Sequence, residues 1–164
     1  MATLVLLRHA KSAYPQGVPD HERPLSGRGR RDAPVAGWRI ASVVQHLDLA
    51  LVSTAVRAQQ TWALARPALD VADQVDVPEL YLASPDTMLR RIRAAAADTV
   101  IVVSHNPGTE ELAERLTRNT DSPDYRRMVT KFPTAAFAVL TADAPFHSWG
   151  YGDAKLQTFE VGRG

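Results

Sequence analysis

The sequence predicts a three-layer α/β/α fold, in which a mostly parallel sheet carries helices on both faces. Segments with strand patterns alternate with segments of helical periodicity along the 164 residues, and such alternation is typical of parallel sheets. Residues 3–7 and 99–104 are rich in apolar and β-branched side chains without alternation, as expected for strands that are buried on both faces. The length is that of one domain, and we expect it to span residues 1–164.

The composition is that of an ordinary globular protein, with 45% apolar residues, 23% charged residues and a formal net charge of +1. A charge so close to zero gives no electrostatic footprint for nucleic acid. The chain has no cysteine, which excludes disulfides and zinc–thiolate sites and is compatible with a reducing cytosol. No secretory pattern follows Met1, and no apolar run approaches the ~18 residues of a membrane span. We therefore expect a cytoplasmic protein without nucleic-acid or membrane partners.

The first predicted strand, residues 3–7, runs directly into Arg8 and His9. A loop with three prolines follows over residues 13–24, and loops of this length without periodicity are usually functional. Ser26 is placed to cap a helix, in which Pro34 is expected to cause a kink or to confine the first turns. The predicted buried face of this helix consists of Ala36, Ile40, Val43, Val44 and Leu47.

A second strand is predicted at residues 49–53, followed by another helix. Thr54 is the expected cap of that helix, and Arg57 then lies in its first turn. The predicted buried face consists of Ala58, Trp62, Ala65 and Leu69. Trp38 and Trp62 are both expected in the core, because tryptophans on helix faces usually pack there.

The second half of the chain continues the alternation. A minor strand is predicted at residues 75–77, and Ser84 with Pro85 forms the cap and first position of a helix that buries Leu89, Ile92 and Ala96. The strand at residues 99–104 ends at His105, and Asn106 with Pro107 begins the next helix. Residues 120–131 are expected to be irregular. Residues 135–141 and 155–161 are predicted to be closing strands that add an antiparallel edge.

Three of these strands deliver Arg8 with His9, Arg57 and His105 to one edge of the sheet. The carboxyl ends of strands in open α/β sheets bind ligands, and two arginines with fixed charge and forked geometry favour a phosphoryl group. One histidine is able to attack phosphorus and form a covalent phosphohistidine. A second imidazole stabilises the charge that develops on the transferring oxygens.

Other chemistries are not indicated by the sequence. No His-x-x-x-His spacing is present, neither His9 nor His105 has a neighbouring aspartate, and adjacent arginines would repel a metal cation. The chain also has no Gly-x-Ser-x-Gly elbow and no Walker loop.

Three motifs carry a family resemblance. Leu7-Arg8-His9-Ala10-Lys11-Ser12 resembles the Arg-His-Gly signature of the histidine phosphatase superfamily, the phosphoglycerate-mutase-like fold, in its variant with alanine after the histidine. Residues 53–61 are similar to the family's Ser-x-x-x-Arg-Ala-x-Gln-Thr segment, and residues 103–107 resemble its second histidine motif. The short chain and residues 23–29, Arg-Pro-Leu-Ser-Gly-Arg-Gly, resemble the SixA-type phosphohistidine phosphatases in particular.

The resemblance implies specific roles for the residues that match. His9 corresponds to the nucleophile that accepts the phosphoryl group, which Arg8, Arg57 and His105 surround. Arg23 is implied as a further contact from the loop, and Ser12 either donates to phosphate or caps a turn. The family works without metal or cofactor. Its general acid corresponds to Glu79, with Asp20 and Glu22 as rivals and an exposed structural role for Glu79 as the alternative. SixA-type proteins need not use an acid.

The expected function is a metal-independent phosphatase that forms a phosphohistidine at His9. Its expected substrate is phosphohistidine on a protein, such as a phosphotransfer domain, because a short chain without an inserted cap leaves the pocket open. A small phosphoester as substrate is the alternative, and a phosphate-binding module without turnover is a third possibility. His21, His46 and His147 match no motif and are expected to have surface or packing roles.

Overall fold

The computed structural model describes residues 1–163, which form a central sheet of six strands in the order β3-β2-β4-β1-β5-β6. The strands are β1 (Ala2–Arg8), β2 (Leu47–Ser53), β3 (Val71–Val77), β4 (Thr99–Ser104), β5 (Ala136–Ala142) and β6 (Lys155–Val161). The helices are α1 (Gly27–Ala41), α2 (Val56–Ala65), α3 (Pro85–Arg93), α4 (Gly108–Leu116) and α5 (Pro123–Thr130).

The sheet is mostly parallel, as predicted. Strand β1 pairs in parallel with β4, and β2 pairs in parallel with both β4 and β3. Strand β5 runs antiparallel to its two neighbours, β1 and β6. The carboxyl ends of β1, β2 and β4 therefore meet at one edge of the sheet, where Arg8 lies opposite Ser104.

The side chains of β1 are buried on both faces of the sheet, which explains why its sequence is apolar without alternation. Leu4 and Leu6 pack in the core between the sheet and helices α3, α4 and α5. Val5 and Leu7 point to the opposite face and pack against α1 and α2. Helices on both faces confirm the three-layer prediction.

Several predicted boundaries are wrong in the first half of the chain. Helix α1 begins after Ser26, whose Oγ accepts a hydrogen bond from the Gly29 amide at 3.1 Å as predicted, but the helix runs through Pro34 and ends at Ala41. Residues 43, 44 and 47 therefore lie beyond the helix. Thr54 does not cap α2, because its hydroxyl contacts His21 Nε2 at 2.9 Å instead. Strand β3 has seven residues rather than three.

The second half also differs from the prediction, and so does the placement of one tryptophan in α1. Residues 120–131 are not irregular, since helix α5 begins after Ser122, whose hydroxyl accepts from the Tyr125 amide. Ala96 is exposed beyond the end of α3, and Trp38 is 65% exposed on α1 rather than in the core. The cap at Ser84, by contrast, forms as predicted. Within residues 1–163, no helix combines the length and apolar character needed to cross a bilayer.

Candidate active site

His9 lies immediately after β1, and its ring is fixed in one orientation. The backbone amide of His9 donates to the Ser104 carbonyl of β4 at 3.1 Å. The Nδ1 atom of its ring lies 2.8 Å from the carbonyl oxygen of Ala10. Since a carbonyl only accepts hydrogen bonds, Nδ1 carries the proton and Nε2 keeps its lone pair. Arg57 Nε approaches this Nε2 atom at 3.4 Å.

The imidazole of His9 is neutral near pH 7. Its pKa is lowered to about 4, mainly by burial and further by the positive charges of Arg57 and Arg8, against the hydrogen bond to Ala10. Only 6% of the residue is exposed. A buried neutral imidazole with one unprotonated ring nitrogen is the form of histidine that acts as a nucleophile.

His105 follows β4 and faces His9, with 5.2 Å between the two ring centroids. Its Nε2 atom lies 2.8 Å from the hydroxyl oxygen of Ser53 at the end of β2. Burial, reinforced by His9 and Arg57, lowers the pKa of His105 to about 3. Its Nδ1 atom is buried and has no hydrogen-bond partner in the part of the chain described. An unsatisfied buried nitrogen of this kind is costly unless a ligand completes it.

Two guanidinium groups bring positive charge to the two imidazoles. Arg57, in the first turn of α2, is 3% exposed and donates from Nη1 to the Asp20 carbonyl at 2.7 Å. Its Nη2 atom donates to Asp20 Oδ2 at 3.1 Å. Arg8 is held by a bond from Nη1 to the Phe132 carbonyl at 2.9 Å. Both side chains are thus locked before any ligand binds, which keeps the cost of ordering low.

The loop after β1 contributes a carboxylate, that of Asp20. Arg23 Nε donates to Asp20 Oδ1 at 3.0 Å, and Arg23 Nη1 donates to Ser12 Oγ at 2.9 Å. The hydroxyl of Tyr81 also donates to Asp20. This hydrogen bond is the largest cause that lowers the pKa of Asp20 to about 2, and Arg57 lowers it further. Asp20 is therefore a fixed negative charge at neutral pH.

These side chains surround a cavity of about 290 Å³. Its lining residues are Arg8, His9, Lys11, Ser12, Tyr14, Asp20, Arg23, Arg57, Leu82, His105, Asn106 and Thr134. Six of the predicted site residues are brought together here, namely Arg8, His9, Ser12, Arg23, Arg57 and His105.

Glu79 does not reach this cavity. It is exposed and lines a separate surface groove together with Thr87 and Arg90. Of the two rivals for the role of acid, Asp20 lines the cavity and Glu22 does not.

Tyr81 is a site residue that the sequence analysis missed. Its ring stands edge-on to those of His105 and His21, at centroid distances of 5.5 and 4.7 Å. His21, which was expected to be a bystander, therefore supports the site through Tyr81 and Thr54. The only signal in the sequence was that Tyr81 follows Glu79 in the segment singled out for a general acid.

Two neutral imidazoles and two locked arginines at the carboxyl edge of a parallel sheet form a site for a tetrahedral oxyanion such as a phosphoryl group. Within residues 1–163, no three histidine, cysteine or acidic side chains are grouped as metal ligands. The protein class defined by this fold and site is a phosphatase.

Sequence comparison identifies the family. The model of the histidine phosphatase superfamily (branch 1) matches residues 4–80. An uncharacterized protein of Mycobacterium tuberculosis is 39% identical over 161 residues, which cover 96% of this chain and all of that protein. The chain belongs to the histidine phosphatase superfamily and is a phosphoric monoester hydrolase.

Solved structures agree with this assignment. A candidate phosphohistidine phosphatase SixA from Nakamurella multipartitia is 31% identical, with a TM-score of 0.85 over 99% of this chain and 97% of that one. A candidate SixA from Agrobacterium tumefaciens is 29% identical, with a TM-score of 0.80 over 98% of each chain. The SixA-like resemblance and the phosphoglycerate-mutase-like fold are therefore confirmed.

Proposed function

We propose that this phosphatase removes the phosphoryl group from phosphohistidine on a protein, through a covalent phosphohistidine on His9 and without a metal ion. The observation that carries the proposal is the fixed tautomer of His9. Its Nδ1–H is bound to the Ala10 carbonyl at 2.8 Å, so the unprotonated Nε2 is the nitrogen beside Arg57. The ring needs no rearrangement or proton loss before it attacks phosphorus.

The reaction proceeds in two displacements. His9 Nε2 attacks phosphorus and forms an N–P bond, while the bond from phosphorus to the substrate imidazole breaks and that imidazole takes a proton from solvent. Water then attacks the phosphorus, the N–P bond to His9 breaks, and inorganic phosphate leaves. Arg8, Arg57 and a His105 ring that gains a proton beside the phosphate stabilise the charge on the transferring oxygens.

The carboxylate of the cavity favours a substrate whose leaving group needs no carboxylic acid as proton donor. Among the described residues that line the cavity, Asp20 is the only carboxylate. The lowering of its pKa to about 2 makes it a poor proton donor. An alkoxide leaving group needs a general acid, which is typically worth about 10² to 10⁴ in rate. Imidazole has a pKa of about 6.5 and departs with little help. The names of the two SixA relatives support the same substrate.

The test compares substrates and traps the intermediate. The wild type is expected to hydrolyse a phosphohistidine-bearing phosphotransfer domain with a kcat/KM at least about 100-fold above that for an alkyl phosphate, because only the latter needs an acid. Rapid quenching should recover acid-labile, base-stable phosphate on the protein. This label should be absent in His9→Ala and present in His147→Ala, the exposed control.

Two results would contradict the proposal. Label retained in His9→Ala would place the covalent phosphate on another residue. A preference of the wild type for small alkyl phosphates would instead indicate a phosphomonoesterase of small molecules.

His105→Ala should lower kcat by about 100-fold or more, as expected when a contact to the transition state is lost.

A further inference from the structure

A second cavity, of about 250 Å³, adjoins the phosphoryl site. It is lined by Arg8, Lys11, Arg28, Lys131, Pro133, Thr134 and Arg163, which we call the basic groove. Arg8, Lys11 and Thr134 line both cavities, so the basic groove is continuous with the space around His9. It therefore lies beside any phosphoryl group that binds there.

The charge of the basic groove is one-sided. Five of its lining residues are basic and none is acidic, although the chain as a whole has 19 basic and 18 acidic residues. Two carboxylates outside the lining act on it: Asp32 lies 3.4 Å from Arg28 Nε, and the charge of Glu110 opposes the lowering of the Arg8 pKa by burial. Within residues 1–163, Arg8 Nε and Arg163 Nε are buried without an acceptor. Clustered positive side chains, two of which have N–H groups without an acceptor, favour the binding of anionic groups.

Arg28 occupies a position that is unfavourable for its own helix. It lies in the first turn of α1, which contains no acidic residue, and a cation there opposes the helix dipole. The start of α1 is nevertheless tied to Lys11, because the amide and hydroxyl of Ser26 both donate to the Lys11 carbonyl, at 2.8 and 3.0 Å. An anion bound between these residues would offset the unfavourable charge.

The rim of the phosphoryl site points to a protein as the source of the anions. Tyr14 is 75% exposed and Leu82 is 56% exposed, and both line the cavity around His9. Leu82 also has a φ of +51°, a backbone conformation that is costly for a leucine. Exposed apolar side chains beside a basic groove are typical of a surface that contacts another protein.

We infer that the basic groove docks acidic side chains that flank the phosphorylated residue of a protein substrate. The inference rests on the proposed function, because it specifies the surroundings of the phosphohistidine that His9 receives. Carboxylates next to that residue lie against Arg28 and Lys131, while Tyr14 and Leu82 contact the substrate around the phosphoryl group. Complementary charge of this kind gives specificity and fast association.

The test uses the double variant Arg28→Gln/Lys131→Gln, whose residues line the basic groove and not the cavity around His9. Hexaglutamate is the probe, measured as an inhibitor of p-nitrophenyl phosphate hydrolysis at low and moderate salt. The inhibition constant should rise about fivefold in the double variant, as expected for two partly exposed ion pairs. The control Arg90→Gln/Arg91→Gln removes the same charge from α3 and should behave as the wild type.

A second arm uses phosphohistidine peptides with acidic or neutral flanks. The double variant should lose about fivefold in kcat/KM on the acidic peptide alone.

Two outcomes would overturn the inference: equal inhibition of the wild type and the double variant by hexaglutamate, or an equal loss of kcat/KM on the acidic peptide in the control variant. If the double variant were impaired only on a small bisphosphate, the groove would belong to a second phosphate of a small substrate, and protein docking would be wrong. If no phosphohistidine peptide were hydrolysed, the proposed function would fail, and the hexaglutamate result would still decide whether the groove binds acidic peptides.

Discussion

His9 and His105 are buried without charge among cations, and this links the folding of the protein to pH. The pKa of His9 is lowered to about 4 and that of His105 to about 3 from the usual value of 6.5. At pH values between these pKa values and 6.5, the two histidines are protonated in the unfolded chain but neutral in the folded chain. The free energy of unfolding must therefore decrease as pH falls from about 6.5 towards 4.

We expect that the free energy of unfolding falls by at least about 2 kcal/mol between pH 7 and pH 4.5, given about 1.4 kcal/mol per unit of pKa difference. Urea unfolding at the two pH values measures the loss. It should shrink by about half in His9→Gln, which leaves His105 in place, and should persist in His46→Gln. The lowered pKa of Asp20, about 2, affects stability only below about pH 4. A wild type equally stable at both pH values would contradict the neutral state of the buried rings.

Individual residues of the site differ in how far the sequence reveals them. Arg8, His9 and His105 follow apolar strands, and the shared edge of a parallel sheet brings such positions together. The contact of Tyr81 with Asp20 joins residues 61 positions apart across two loops, and no local pattern encodes it. The opposite error was made at Glu79, two residues before Tyr81. Its motif position placed it in the site, but its side chain lines a separate surface groove.

The start of α1 is a close contact between two elements. A β-carbon at Gly29 would lie 2.1 Å from the Lys11 carbonyl oxygen, so only glycine allows the helix to approach the loop after β1. Gly27, two residues earlier, would place its β-carbon 3.5 Å from the flexible end of Arg31. The same helix turn thus contains one glycine fixed by packing and one that is not.

Gly29→Ala is expected to destabilise the protein by about 1–3 kcal/mol, because backbone must move to relieve the overlap. It should also lower kcat/KM, since the Lys11 segment follows His9 directly. Gly27→Ala is the matched control and should be neutral or slightly stabilising, as alanine is the better helix former. Thermal unfolding and phosphatase activity of the two variants check the difference. Similar behaviour of both would show that the contact with Lys11 is not needed.

The start of α3 was predicted correctly from Ser84 and Pro85. Helix α4, in contrast, begins only at Gly108, with Pro107 rather than Asn106 at its N-cap position. The cap and proline at Ser122 and Pro123 were passed over, because α5 is short and mostly polar and buries only Met128. Thr54 fitted a cap by residue type, but a partner from a distant loop, His21, took its hydroxyl. Long-range competition for a side chain is not visible in a local pattern.

The two largest hydrophobic cores of the molecule lie on opposite faces of the sheet. The core beneath α1 and α2 includes Trp62, which is 2% exposed and donates from Nε1 to Gln74 Oε1 at 2.6 Å. Trp38 lies on α1 but faces solvent. Identical residue types on neighbouring helices therefore differ in what they contribute to folding.

Trp62→Ala should lower the free energy of unfolding by about 3–5 kcal/mol, the usual cost of a large cavity. Trp38→Ala should change it by less than about 0.5 kcal/mol, because an exposed side chain leaves no cavity. Chemical denaturation followed by circular dichroism compares the two variants. A comparable loss in Trp38→Ala would mean that its exposed ring is covered in solution.

The strand order leaves β3 and β6 as the two edges of the sheet. Strand β3 carries Asp73 and Asp76, and β6 carries Lys155 and Glu160. Charged side chains on an edge strand oppose the addition of a strand from another molecule. Both edges of the sheet therefore oppose the pairing of a strand from a second molecule. This should slow the growth of fibrils even at high protein concentration.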